Sequence, residues 1–225
     1  MNWRNYLDYF WFIAWNWNLP LAIFLIRNEI NGEKKYDSST LSIDNLEKEI
    51  DPDILPDTSI YQPVSFYAAE RLLAFIDHPE KSTGFLDVGC GRGRALQMAA
   101  YFGFRKLFGL DIVPYLLEDS KYAAGKISNK YPDVEVTLIH GNAALYKVPH
   151  SIDTIFLFNP FKGLLMNSFI LRVKESLIEK PRKMTLLYAN PVCKEIWMNA
   201  GFEEIMHFKK MKYIEGAVLV YDPEK

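Results

Sequence analysis

Cysteine is nearly absent from this chain. Of 225 residues only Cys90 and Cys193 carry thiols, and neither has a CxxC or Cys/His neighbour at ligand spacing. That argues against a disulfide framework and against a structural metal, and it points to a reducing compartment. A surplus of charge is lacking too. With 26 Lys and Arg against 28 Asp and Glu, the formal charge is -2, so there is no basic field of the kind that gathers phosphate backbones. Nucleic acid is therefore a disfavoured partner. The opening MNWRNYLDYF has neither the basic n-region nor the small-residue cleavage site of a secretory signal. The expected location is the cytoplasm. Internal repeats and low-complexity tracts are also missing.

One long apolar run is present, residues 9–26, YFWFIAWNWNLPLAIFLI. A membrane span needs about 18 or more apolar residues, but Asn16, Asn18 and Pro20 interrupt this run near its middle. An anchor lying in the membrane interface is a second reading. The interruptions favour a third, two short helices broken at Asn18-Leu19-Pro20, with Asn18 capping the second. These would pack on the rest of the chain or on a second subunit, so membrane association is disfavoured and oligomerisation through this segment is open. Residues 31–58 are polar and read as a surface connector with a short helical pattern at 43–50. The expected division is a helical appendage and linker over 1–58 and a main domain over 59–225.

From Phe85 onward short apolar runs alternate with amphipathic stretches, the pattern of a parallel sheet covered by helices on both faces. Strands are expected at 84–88, 106–112, 134–141, 152–159 and 183–189, with helices at 93–102, 115–130, 164–178 and 193–199. Two further strands, 202–209 and 217–221, follow one another without a helix between them. They imply an antiparallel hairpin at the end of an α/β, doubly wound sheet.

The densest signal is Asp87-Val88-Gly89-Cys90-Gly91-Arg92-Gly93, placed between an apolar strand and a helix. Glycines let the main chain approach a ligand closely, and the helix that follows presents free N–H groups to negative charge. The dinucleotide pattern GxGxxG requires glycine where this chain has Arg94. A P-loop requires Gly-Lys-Ser/Thr, also absent. Asp87 would repel a pyrophosphate but can hold a cationic amino group, so a ligand with an amino-acid end, as in S-adenosylmethionine, suits the loop. Asp111, at the end of the second strand about 20 residues on, stands where α/β nucleotide sites place the carboxylate that takes ribose hydroxyls. Ile112 could flank an adenine. Asn142, followed by Ala143, offers an amide to the adenine edge, although Asn after Gly141 also makes an ordinary turn.

With these positions in place, residues 61–221 resemble the class I, Rossmann-like S-adenosylmethionine-dependent methyltransferases. Within them the chain is similar to small bacterial methyltransferase-domain proteins whose fourth strand ends in Asn-Pro-Phe, and more distantly to Rossmann-fold protein lysine methyltransferases. The resemblance implies a mostly parallel seven-stranded sheet with an antiparallel C-terminal hairpin, and S-adenosyl-L-methionine as cofactor. Cofactor contacts would come from Asp87, Gly89, Cys90, Gly91, Gly93, Asp111, Ile112, Asn142 and Ala143, with Cys90 contributing its backbone.

Catalytic residues are harder to read, because the donor is already activated and the protein mainly aligns and desolvates. The resemblance points to Asn159, Pro160 and Phe161. In amino-methylating branches a related Asn/Asp-Pro-Pro-aromatic motif accepts hydrogen bonds from the target nitrogen. By that likeness Asn159 and the Pro160 carbonyl would do so here, with Phe161 walling the acceptor pocket. This chain lacks one proline of that motif, which moves the aromatic one place closer to Asn159. Asn190-Pro191 ends the fifth strand in the same way and reads as a stop signal. Tyr61, ahead of the helix before the glycine loop, would be a lid residue. No histidine has a partner arrangement for base catalysis. The expected activity is N-methylation of a protein side chain or small amine. Two alternatives stand beside it, an O- or C-methyltransferase of a small molecule and a non-catalytic cofactor-binding scaffold that docks a partner through its N-terminal segment.

Overall fold

A computed structural model of the chain describes residues 3–42, 50, 55–58 and 61–224. Seven strands form one sheet: β1 Phe85–Val88, β2 Lys106–Asp111, β3 Glu135–His140, β4 Thr154–Phe158, β5 Met184–Ala189, β6 Glu203–Lys210 and β7 Ile214–Tyr221. Their order is β3-β2-β1-β4-β5-β7-β6. The first five run parallel, and β7 lies antiparallel between β5 and β6. The doubly wound sheet with its antiparallel ending is as the sequence pattern and the resemblance lead one to expect, with element ends moved by a residue or two. The larger difference is at β7, which begins at Ile214 rather than 217.

Helices cover both faces, and the period-2 alternation of strands decides which residue meets which layer. Phe85 and Phe156 point toward α3 (Phe66–Leu73) and α4 (Arg94–Phe102), whereas Leu86, Val88, Ile155 and Leu157 point toward α6 (Gly163–Glu179) and α7 (Lys194–Asn199). Helix α5 (Pro114–Lys130) packs on β3 and α4. Because winding reverses between β1 and β4, a cleft opens at the carboxyl ends of those strands.

The aromatic run forms α1 (Trp3–Asn16) and α2 (Leu19–Tyr36). Asn18 caps α2 as its residue type predicts, its side chain accepting the Leu21 N–H at 2.9 Å with Pro20 in the first turn. Helix α2 packs on α3 and α4, and α1 buries Tyr9 and Ile13 while Trp3, Trp11 and Trp15 remain exposed. Among the described residues no helix is long and apolar enough to cross a membrane.

One expectation fails here. Residues 31–36 are not connector but the last turns of α2, and beyond them Ser38, Thr40 and Leu41 are buried. Gly32 lies within the helix, and glycine is required there because a Cβ would fall 2.2 Å from the Phe66 ring. The glycine lets α3 approach α2. The helical pattern at 43–50 falls, except for its last residue, outside the described residues.

Candidate active site

A cavity of about 370 Å³ occupies the cleft at the carboxyl ends of β1, β2 and β4, within the size range of small-molecule sites. Its floor is the glycine loop. Gly89, Gly91 and Gly93 all have positive φ, at 75°, 52° and 80°, a region costly for residues with a Cβ. Close approach adds a second reason for two of them. A Cβ on Gly89 would lie 2.6 Å from Pro160 Cβ, and one on Gly91 would lie 2.3 Å from the Tyr61 ring. Thus Pro160 and Tyr61, expected from the sequence near the donor, rest directly on the loop, and the Arg92 guanidinium lies 5.3 Å from the Tyr61 ring centroid.

Asp111 ties the loop to the end of β2. Its Oδ2 accepts the Gly91 N–H at 2.7 Å and its Oδ1 accepts the Val113 N–H at 2.9 Å. Burial raises its pKa, and these backbone donors pull it back. Each oxygen keeps a second lone pair for a ligand hydroxyl. Asp87 is different: it is buried and borders the cavity, and its carboxylate accepts no hydrogen bond among the described residues. Burial, and then the negative charge of Asp111, push its pKa from 3.8 to about 8. A cationic ligand group beside Asp87 would relieve both effects, which is the complement of an amino-acid ammonium. Cys90 is buried, with its thiol pushed well up by burial, as befits a residue that contributes main chain rather than a nucleophile.

Ile112, Asn142 and Ala143 border the same cavity. The Asn142 Oδ1 accepts the Ala144 N–H at 2.9 Å and caps a short 3-10 turn over Ala143–Leu145, so its amide N–H groups are what it can offer a ligand. The donor end fits an adenosyl group carrying an amino acid: an unpaired acid, a carboxylate at a strand end, and half-buried apolar walls.

Across from the glycine loop lie Asn159, Pro160 and Phe161, which follow β4. Asn159 has φ 42°, a left-handed backbone that asparagine tolerates better than most residues. Its Oδ1 is buried and has no hydrogen-bond partner among the described residues. Phe161 both borders the cavity and packs edge-on against Phe169 with ring centroids 5.9 Å apart. The two roles weighed for it, pocket wall and core residue, coexist.

Three features escaped sequence reading. Arg94, known there only as the residue that breaks a dinucleotide pattern, is buried at the start of α4. It donates to Glu29 of α2, the Thr40 hydroxyl and the Val64 carbonyl, and it borders the cavity. Asp57 caps α6 from outside, its Oδ2 accepting the Leu164 N–H at 2.8 Å while Thr58 bridges Phe161. Asn190, after β5, borders the cavity too. Each depends on contacts between residues distant in sequence, so no local signal announces them.

Comparison with known proteins agrees with this geometry. Residues 85–172 match a family model described as a methyltransferase domain. No curated protein matches the chain. Among solved structures, an RNA methyltransferase from Salinibacter ruber in complex with S-adenosyl-L-homocysteine is similar at TM-score 0.51 and 17% identity. The match covers 72% of this chain and 95% of that one. A ribosomal protein L11 methylase from Lactobacillus delbrueckii subsp. bulgaricus gives TM-score 0.51 and 14% identity over 80% of this chain and 98% of that one. A protein from Pyrococcus horikoshii OT3 gives 0.52 and 18% over 70% and 88%. At such identities these likenesses speak for the fold, and the acceptors named for the first two differ, as expected of a fold that does not dictate substrate. The matched family model marks residues 85–172 as a methyltransferase domain, and the sheet order and glycine loop around it are of the Rossmann-like kind found in class I, S-adenosylmethionine-dependent methyltransferases.

Proposed function

We propose that the chain methylates a nitrogen, on a protein side chain or a small amine, and that Asn159 receives it. The observation that carries this is the buried Oδ1 of Asn159 beside the cavity, which has no partner among the described residues. An unsatisfied buried acceptor costs about 1–3 kcal/mol; an N–H of the acceptor substrate would repay that by hydrogen bonding, and in doing so would turn its lone pair toward the donor. An acceptor without an N–H or O–H would leave Oδ1 unsatisfied.

On this reading Asp87 binds the cofactor's amino group, Asp111 its ribose, and Asn142 with Ile112 and Ala143 its adenine. Gly89, Cys90, Gly91 and Gly93 supply the backbone against which it lies. Bound S-adenosylmethionine supplies an electrophilic methyl group; the chain's residues align the acceptor and exclude water. Tyr61 lies over the glycine loop as a lid, Phe161 walls the acceptor side, and the Pro160 carbonyl is a second hydrogen-bond acceptor for the nitrogen. Residues 59–225 form the methyltransferase domain and residues 1–58 an appendage that braces it, working in the cytoplasm. The balanced charge supports a protein or small-molecule acceptor over nucleic acid.

The test is the chemistry of the product. With methyl-labelled cofactor and cell lysate, transferred label should resist mild alkali and appear as an N-methyl group by mass spectrometry. Label in alkali-labile esters, in O-methyl ethers or on carbon would contradict the proposal.

A further inference from the structure

Strands β4 and β5 run parallel with Phe158 beside Ala189 at their carboxyl ends. The next residues, Asn159 and Asn190, therefore leave neighbouring strands at the same level of the sheet. Both precede a proline, both are left-handed at φ 42° and 50°, and both border the same cavity. The Asn190 backbone is fully used, its N–H donating to the Glu215 carbonyl and its own carbonyl accepting the Val192 N–H, each at 2.8 Å. Its side chain has no partner among the described residues.

We propose that Asn190 is a second acceptor-binding residue, whose amide hydrogen-bonds the substrate next to the nitrogen held by Asn159 and so decides which acceptors are admitted. This rests on the assignment of Asn159 given above. Charge distribution indicates the class of acceptor. The charged residues bordering the cavity, Asp87, Asp111 and Arg94, belong to the glycine loop and its surroundings, whereas Asn159, Phe161 and Asn190 are neutral. An asparagine amide offers one acceptor and two donors but no counter-charge. The site therefore suits an uncharged nitrogen flanked by a neutral hydrogen-bonding group, and it discriminates against acceptors with a carboxylate or phosphate at that place.

The experiment uses the full chain, methyl-labelled cofactor and increasing concentrations of cell lysate, with S-adenosylhomocysteine affinity measured by calorimetry. Asn190→Gly keeps the left-handed turn but removes the amide. It should bind S-adenosylhomocysteine within about twofold of wild type yet need about tenfold more lysate for half-maximal transfer. Asn190→Asp, which introduces a charge, should be no better. Unchanged half-saturation in Asn190→Gly overturns the proposal. So does an equal loss of S-adenosylhomocysteine affinity, which would place Asn190 in the donor site or the fold. Asn159→Ala measured in parallel separates the two assignments: a normal maximal rate there overturns the role of Asn159, and a lost maximum there beside a wild-type-like Asn190→Gly overturns only that of Asn190. A wild-type chain that labels no fraction overturns both.

Discussion

The guanidinium of Arg94 holds both carboxylate oxygens of Glu29, with Nη1 to Oε1 and Nη2 to Oε2 each at 2.8 Å, and both side chains are buried. Arg94 is the first residue of α4, directly after the glycine loop, while Glu29 lies in the middle of α2. The N-terminal hairpin is thereby fastened to the end of the glycine loop. Burial raises the Glu29 pKa and the Arg94 charge lowers it. The Phe66 ring, with its centroid 4.1 Å from the guanidinium carbon, covers the pair.

Removing one partner leaves the other charge buried and unpaired. Glu29→Ala and Arg94→Ala should each destabilise the chain by about 3–5 kcal/mol in denaturant unfolding, and a double replacement by apolar residues of similar volume should cost less than either. Losses under 1 kcal/mol for both single variants would show the pair to be dispensable.

If Asp87 holds the cofactor's amino group as proposed, it links pH to cofactor binding. Its pKa rises from 3.8 to about 8 in the folded chain, so between those values the folded state holds a proton that the unfolded state has released. Its contribution to stability is full at low pH and falls as pH rises through that window. A cation beside Asp87 requires the ionised form. S-adenosylhomocysteine binding should therefore release a proton below pH 8 and tighten from pH 6 to 8, by at most about tenfold per unit. Calorimetry in buffers of different ionisation enthalpy counts that proton. Asp87→Asn should abolish the slope and make the free protein more stable at pH 8; a pH-independent wild-type affinity would contradict this.

Gly91 has φ 52° and no room for a side chain beneath Tyr61. Gly91→Ala adds about 1–2 kcal/mol of backbone strain and displaces the ring from the loop. The expected result is at least about tenfold weaker S-adenosylhomocysteine binding, with the Tyr61→Ala/Gly91→Ala double variant recovering part of it.

Asp57 supplies a cap that α6 lacks. Lys162, the residue before the helix, makes no side-chain cap bond, and the Asp57 carboxylate takes the Leu164 N–H instead. Asp57→Ala should lower stability by about 0.5–2 kcal/mol and loosen the turn that holds Asn159, reducing the rate of methyl transfer more than cofactor affinity. A loss of cofactor affinity without a loss of rate would argue that the turn is held by other means.

The sheet was legible because its strands are short apolar runs punctuated by amphipathic helices, and Asp87, Gly89, Gly91 and Asp111 announced themselves by residue type at fixed spacing. Asn18 was legible for the same reason, since capping is local. The polar composition of residues 31–36 reads as connector, whereas they form the last turns of α2, with Gly32 making room for the Phe66 ring 34 residues away in sequence. Glu29 carries no local signal in the sequence, and only packing brings Arg94 beside it. Asn190 looked like a stop signal, and only the pairing of β4 with β5 sets it next to Asn159. What the sequence hides, in each case, is a contact made by tertiary packing.

The most direct test is a crystal structure of the full chain with S-adenosylhomocysteine. The ligand's amino group should lie at Asp87, its ribose hydroxyls within hydrogen-bonding distance of Asp111, and its sulfur facing Asn159 and Pro160 across the cavity. A ligand bound elsewhere, or one whose sulfur faces away from Asn159, would contradict the assignment of this cavity as the site of methyl transfer.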